Sequence, residues 1–377
     1  MIDVMKNKYK IITEDIFALA GLKINGNNPL DIRVHNDEFY RRAITEGELG
    51  IGESYMDGWW DVEKLDEFIY HILRAQLDEK IRRKFSIILR LLSMQLLNLQ
   101  SRSRAFIVGE KHYDLGNDLF QNMLDKRMNY SCAYWKNAHN LDEAQENKLE
   151  LICRKLDLKP GMHVLDIGCG WSAFGKYAAG KYKVKVSGIT VSKEQVELGK
   201  KLCQGLPVDI RIMDYRDLNE KYDRIVSIGM FEHVGHKNYR TFCKIANKCL
   251  NEEGLFLLHT IGTNTSEDIL DLWSEKYIFP NGMLPSITQL GKAIENLFVM
   301  EDWHSFGPDY DKTLMAWFSN FDRNWEKIKN RYSERFYRMW KYFLLSSAGS
   351  FRSRRRSQLW QIVLSKKGIT GGYNSVR

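Results

Sequence analysis

Val164-Leu165-Asp166-Ile167-Gly168-Cys169-Gly170 is the stretch on which the fold turns. Its apolar residues form a short buried run, His163–Ile167, that reads as a strand, and Ser172–Tyr182 reads as the helix after it. Between them, Gly168 and Gly170 permit a close backbone approach to a ligand and angles that other residues avoid. A strand–glycine–helix turn of this kind is a nucleotide-type cradle. The dinucleotide fingerprint G-x-G-x-x-G has its third position at Ala173, a permitted residue, so the glycines alone leave a dinucleotide enzyme or a purely structural turn open.

Outward from this turn, strands and helices alternate. Val184–Ile189, Asp209–Met213, Asp223–Ile228 and Leu255–His259 read as further strands, with helices at Ser192–Cys203 and Asn238–Leu250. Phe298–Trp303 and Trp360–Ser365 supply two late strands around helices within Thr313–Ala348. The pattern predicts an α/β fold: a mostly parallel sheet with helices on both faces, and ligands at the carboxyl ends of its strands. A smaller, mostly helical N-terminal domain is expected over 1–83. Residues 84–110 carry Phe85, Ile88, Leu89, Leu92, Leu96 and Leu99 at helical spacing among Arg82, Arg83, Lys84, Arg90, Arg102 and Arg104. That is a basic amphipathic linker helix, lying on a membrane or buried between domains. Residues 111–377 are assigned to the catalytic domain.

Bulk properties narrow the setting. The chain has 377 residues, a formal net charge of +8 and six prolines, and a pI near 9.0 points to an anionic partner, nucleic acid or membrane. Its six cysteines form no C-x-x-C pair or small disulfide framework, which suggests reduced thiols and a cytoplasmic setting. The N-terminus has no signal-peptide pattern, and no uncharged run reaches the roughly 20 residues of a membrane span.

The lead-in Lys159-Pro160-Gly161-Met162-His163-Val164-Leu165-Asp166 resembles the first motif of S-adenosylmethionine-dependent methyltransferases, with Asp166 two residues ahead of the first glycine. The resemblance implies a Rossmann-like class I methyltransferase sheet, with Asp166, Gly168 and Gly170 at the cofactor. Thr190 and Gln195, after the second strand, are expected at the ribose, where many nucleotide sheets place an acid. Asp214 and Tyr215 are expected beside the adenine, and Tyr130 and Ser131 at the same cofactor.

Tyr130-Ser131-Cys132-Ala133-Tyr134-Trp135, Phe231-Glu232-His233-Val234-Gly235 and Leu257-Leu258-His259-Thr260-Ile261-Gly262 are more specific than any glycine loop. With Gly52-Glu53-Ser54-Tyr55-Met56-Asp57-Gly58-Trp59-Trp60 and His112-Tyr113-Asp114-Leu115-Gly116-Asn117-Asp118, they resemble the bacterial cyclopropane-fatty-acyl-phospholipid synthases over nearly the whole chain. That family transfers the methyl carbon of S-adenosylmethionine to a cis double bond of an acyl chain, then removes a proton so that a cyclopropane ring closes. The resemblance implies bicarbonate as the base, held by the side chains of Glu232, His259 and Tyr310 and the backbone N–H groups of Cys132 and Ile261. A cation must be shielded from water and can be stabilised by aromatic faces; Tyr130, Tyr134, Trp135, Phe231 and Trp317 are the candidates. One departure is Trp171-Ser172-Ala173, where the family often has Trp-Gly-Gly.

These resemblances set the remaining expectations: an unsaturated phospholipid membrane surface as partner, peripheral attachment from the cytoplasmic side, a homodimer as one assembly, and no nucleic acid. Arg352-Ser353-Arg354-Arg355-Arg356 is a candidate basic face toward lipid, and Trp59-Trp60 a candidate contact surface or lipid dock. No metal is expected, since Glu232-His233-Val234-Gly235-His236 lacks the H-E-x-x-H order. Alternatives are the same fold acting on a small molecule or nucleic acid, or giving a methyl-branched lipid. Against nucleic acid, the chain has no N/D-P-P-Y/F-type motif and no appended RNA-binding module.

Overall fold

The computed structural model describes residues 2–77, 116–266 and 271–377. The stretch 84–110 and the motif residues His112–Leu115 lie outside the described residues. By its contacts the chain divides into two compact units. One comprises Leu99–Ile269, Asn281–Thr313 and Ser357–Arg377; the other comprises Met1–Asn98, Leu270–Pro280 and Leu314–Arg356. Each unit thus draws on stretches far apart in the chain.

In the second-named unit, a two-residue ladder of β1 (Arg33–Val34) and β2 (Trp60–Asp61) accompanies helices Glu38–Thr45, Gly47–Met56, Leu65–Arg74, Leu272–Tyr277 and Glu334–Ser353. Gly52 is obligatory in its helix, because a Cβ there would run into the Trp273 indole. Trp60 is fully buried, its indole N–H donating to the Ile51 carbonyl at 3.0 Å. It is a core residue, not a lipid dock. Arg352 pairs with Asp66 at 2.7 Å and Glu67 at 2.6 Å, and Arg356 with Glu48 at 3.2 Å. Arg352 and Arg356 are thus spent on acids of their own unit, which removes them from the expected lipid-facing run.

Glu53, inside the same motif, accepts from Tyr277 Oη at 2.8 Å and from Lys276 Nζ at 2.5 Å, and pairs with Arg42. Burial alone would raise its pKa, but Lys276, Tyr277 and Arg42 override that and hold the carboxyl down at about 2. Its stabilising contribution is therefore present above the ordinary carboxylate pKa and lost as pH falls toward about 2. Glu53→Gln should cost about 1.5–3 kcal/mol at pH 7, as for hydrogen bonds to a charged group. The deficit should shrink in acid, which thermal melts across pH would check.

The other unit is built on seven strands: β3 (His163–Ile167), β4 (Lys185–Thr190), β5 (Val208–Ile212), β6 (Tyr222–Ile228), β7 (Leu250–Thr263), β8 (Val299–Ser305) and β9 (Ser357–Ser365). Their order is β5-β4-β3-β6-β7-β9-β8. The first five are parallel, and β9 runs antiparallel between β7 and β8. All seven strands expected from sequence are present. Side-chain alternation divides the core: Leu165, Ile167, Ile225, Phe256, Leu258 and Ile362 pack on one face with Phe231, Phe242 and Leu290. Val164, Val186, Val226, Leu257 and Val363 pack on the other with Leu149, Ile152 and Phe174. Both faces are thus covered by helices, as apolar parallel strands require.

Candidate active site

Asp166 is the penultimate residue of β3, pairing with Gly188 of β4 and Val226 of β6. It is 2% exposed, and its Oδ1 is buried without a hydrogen-bond partner. Burial pushes its carboxyl up to about 7, with Lys148 pulling the other way. Gly168 and Gly170 take φ values of +83° and +54°, the left-handed region that favours glycine. A Cβ at Gly168 would also lie 2.6 Å from Met230, whereas one at Gly170 would meet open space. Ser172, at the first glycine of the family's Trp-Gly-Gly, adopts φ +63° and so carries the strain that a glycine would relieve.

The expected ribose and adenine residues sit at neighbouring strand ends, already engaged. Thr190 Oγ1 donates to Gln195 Oε1 at 2.7 Å. That bond uses the threonine proton and leaves the Gln195 NH₂ as the donor of the pair. Asp214 caps a short turn, accepting from Arg216 N at 2.9 Å and from Arg216 Nη1 at 2.8 Å. Tyr215 packs against Phe242 with ring centroids 5.2 Å apart. Tyr130 meets Phe120 edge-on at 5.1 Å, and Ser131 Oγ accepts from Lys148 Nζ at 2.8 Å.

One strand further along, Glu232 follows β6 in a single helical turn, Phe231–His233. Its Oε1 accepts from the Ile261 N–H at 2.7 Å, and its Oε2 is buried without a partner. The Ile261 N–H, expected to face an ion, instead holds Glu232. Burial pushes the Glu232 carboxyl up to about 7, despite that N–H. His259 lies on β7 opposite Gln361 of β9, which in turn lies opposite His304 of β8. Gln361 Nε2 lies 3.2 Å from His259 Nδ1, and with the amide in this orientation it donates to Nδ1 and the ring proton is on Nε2. That Nε2 is buried and has no partner. Burial first, then Lys148, Lys155 and His304, hold His259 well below the usual imidazole range, so it is neutral.

Cys132, Tyr134, Leu151, Phe306 and Leu359 form one apolar cluster, with Ile261 and Tyr310 packed on it. The five expected catalytic residues are thereby joined: Cys132, Ile261 and Tyr310 through this cluster, Glu232 through Ile261, and His259 through Phe306, whose ring lies 5.9 Å away. The Cys132 thiol is fully buried and pushed far up by that burial, so it is no nucleophile. Among the expected aromatic linings, Tyr134 and Trp135 belong here, with Trp135 N donating to Asp309 at 2.8 Å. Phe231 is instead stacked on Tyr239 at 4.3 Å within the core, and Trp317 falls in the other unit.

Buried polar atoms left unpaired beside an apolar cluster near the ends of a parallel sheet call for comparison with known enzymes. The family described as mycolic acid cyclopropane synthetase matches residues 100–362. The chain belongs to this family. It is 53% identical over 371 residues to the cyclopropane-fatty-acyl-phospholipid synthase of Escherichia coli K12, covering 98% of this chain and 96% of that one. Among solved structures, the cyclopropane synthase MmaA2 from Mycobacterium tuberculosis is 35% identical with a TM-score of 0.65, covering 69% of this chain and 98% of that one. The mycolic acid cyclopropane synthase CmaA1, solved with SAH and CTAB, is 35% identical with a TM-score of 0.64 and the same coverage. The sheet is that of a class I methyltransferase, and this member of the family is a methyltransferase.

Two residues beside these candidate side chains escaped the sequence reading. Gln361 orients His259, and its signal was a lone amide inside the apolar run Leu359-Trp360-Gln361-Ile362-Val363-Leu364. Lys148 is 1% exposed on helix Leu141–Lys155. Its signal was a lysine on the buried face, three residues after Gln145 and four before Ile152.

Proposed function

We propose that this chain is a cyclopropane-fatty-acyl-phospholipid synthase, closing a ring across a cis double bond of a phospholipid acyl chain. The observation that carries this reading is the pair of buried, unpartnered atoms Glu232 Oε2 and His259 Nε2 beside an apolar cluster. Leaving two such groups unpaired is costly, so they fit a small polar ligand better than a purely structural role. When bound, S-adenosylmethionine supplies the electrophilic methyl group that a weakly nucleophilic alkene requires. When bound, bicarbonate supplies a weak base that accepts a proton of the methylated acyl chain.

Asp166 Oδ1, with Gly168 and Gly170, fits the amino-acid end of the methyl donor; Tyr130, Ser131, Gln195 paired with Thr190, and the Asp214–Tyr215 turn border the remainder. Around the base, neutral His259 offers an N–H. Glu232, with its raised proton affinity, can keep its own proton and hydrogen-bond an anion without two full charges meeting. Tyr310 and the Cys132 backbone complete the shell, and Ile261 fixes Glu232. The ring of Phe306 and the buried Leu359 keep water from the reacting carbon.

An acyl chain in a bilayer implies peripheral attachment to the cytoplasmic membrane face, to which a net charge of +8 is suited. Among the described residues no helix is long and apolar enough to cross a membrane. The test is mass spectrometry of membrane fatty acids from a host that lacks cyclopropane lipids, with and without this chain. Unsaturated chains should gain one methylene and lose the double bond. No mass gain would reject the reading, and a methyl-branched product would reject ring closure.

A further inference from the structure

We infer that Lys148 is a positioning residue for the methyl donor: its buried ammonium ties the Asn129–Ser131 segment to the strand end that carries Asp166. This rests on the proposed role of Asp166. Lys148 lies among Ala144, Leu149 and Ile152, all fully buried. An ammonium in such surroundings is costly unless its protons are matched. Nζ donates to Asn129 Oδ1 at 3.0 Å and to Ser131 Oγ at 2.8 Å. Asn129 cannot turn away, because Asp125 accepts from its backbone N at 2.7 Å and from its Nδ2 at 2.9 Å. One turn earlier on the same helix, Gln145 Nε2 donates to the Ser131 carbonyl at 2.9 Å. Ser131 is thus gripped at hydroxyl and carbonyl by two residues of one helix face. It also sits beside the end of β6, since a Cβ on Gly229 would lie 3.7 Å from Ser131 Cβ.

The second half of the tie is electrostatic. The charged and titratable groups that act on or feel Lys148 are Asp125, Cys132, Asp166 and His259. Asp166 Oδ1 has no hydrogen-bond partner, and Lys148 is the group favouring its charged form. Removing the ammonium therefore loosens the Tyr130–Ser131 border and also turns Asp166 toward its neutral form.

The experiment compares wild type and Lys148→Met by calorimetric titration with S-adenosylhomocysteine and by steady-state kinetics. Methionine keeps the length without charge or donors. The Kd for S-adenosylhomocysteine and the KM for S-adenosylmethionine should rise ten-fold or more, while kcat at saturation falls less than three-fold. The pH at which affinity is half lost should also move upward, as Asp166 becomes easier to protonate. A merely structural lysine would lower the melting temperature and leave Kd, KM and the pH midpoint in place, and that result overturns the inference. If Lys148→Met does not fold, Asn129→Ala removes one anchor and leaves the ammonium; a raised KM supports the tie, and an unchanged KM overturns it. A wild-type chain that binds no S-adenosylhomocysteine overturns the reading of Asp166 itself, a result distinct from wild type and variant binding alike.

Discussion

Glu232→Gln should melt higher than wild type at pH 8 while losing most of its product formation. The amide oxygen can still accept the Ile261 N–H, so the side chain keeps that contact. What changes is the charge. Burial raises the folded carboxyl from 4.5 to about 7, so the folded chain holds a proton that the unfolded chain has lost between those values. The stabilising contribution of protonated Glu232 is full below 4.5 and lost as pH climbs through about 7. At about 1.4 kcal/mol per unit, ionised Glu232 costs on the order of 3 kcal/mol at pH 8, a cost absent in the amide. Melts of the two proteins should coincide near pH 4 and separate above pH 7. Activity should fall by about 10²–10⁴-fold, the usual contribution of a positioned proton-handling group. Equal melting at pH 8 would contradict the buried charge, and activity within a factor of a few of wild type would remove Glu232 from the chemistry.

That stability–activity conflict explains which parts of the molecule were legible in the sequence. The strands were, because a parallel strand covered on both faces must be mostly apolar, and Val164–Leu165, Ile225–Val226 and Leu255–Leu258 are such stretches. The start of β7 was not. Asn251-Glu252-Glu253-Gly254 reads as a turn, yet β7 already begins at Leu250 opposite Tyr222 of β6, and a register shift then passes over these four residues to set Leu255 opposite Arg224. Glu232, His259 and Tyr310 stood out as polar residues at strand ends. The use of the Ile261 N–H did not, since a tertiary hydrogen bond leaves no local pattern. The division into units was hidden for the same reason. Helix Glu334–Ser353 packs on helix Leu65–Arg74 through Gly349, where a Cβ would strike the Asp66 carbonyl, and a close approach between residues so far apart in sequence has no periodicity to announce it.

Gly262→Ala should damage fold and site together. A Cβ at this position would enter the Trp360 ring. Trp360 is 2% exposed and packs edge-on against Trp303 at 4.9 Å, so it has little room to withdraw. Overpacking of this kind costs about 1–3 kcal/mol, or roughly 2–4 °C of melting temperature per kcal/mol in a unit of this size. Because the indole cannot yield, part of the strain must be taken up by β7. The neighbouring residue on β7 is Ile261, whose N–H holds Glu232. Activity per folded molecule should therefore fall along with stability, measured well below the melting transition. Adding Trp360→Leu should return part of both, since the two substitutions share one contact and their effects are not additive. Recovery of melting temperature without recovery of activity would show that β7 carries no strain to Glu232. Recovery of both would place the tryptophan–glycine contact among the determinants of where the Glu232 carboxyl sits, with β7 as the rod between them.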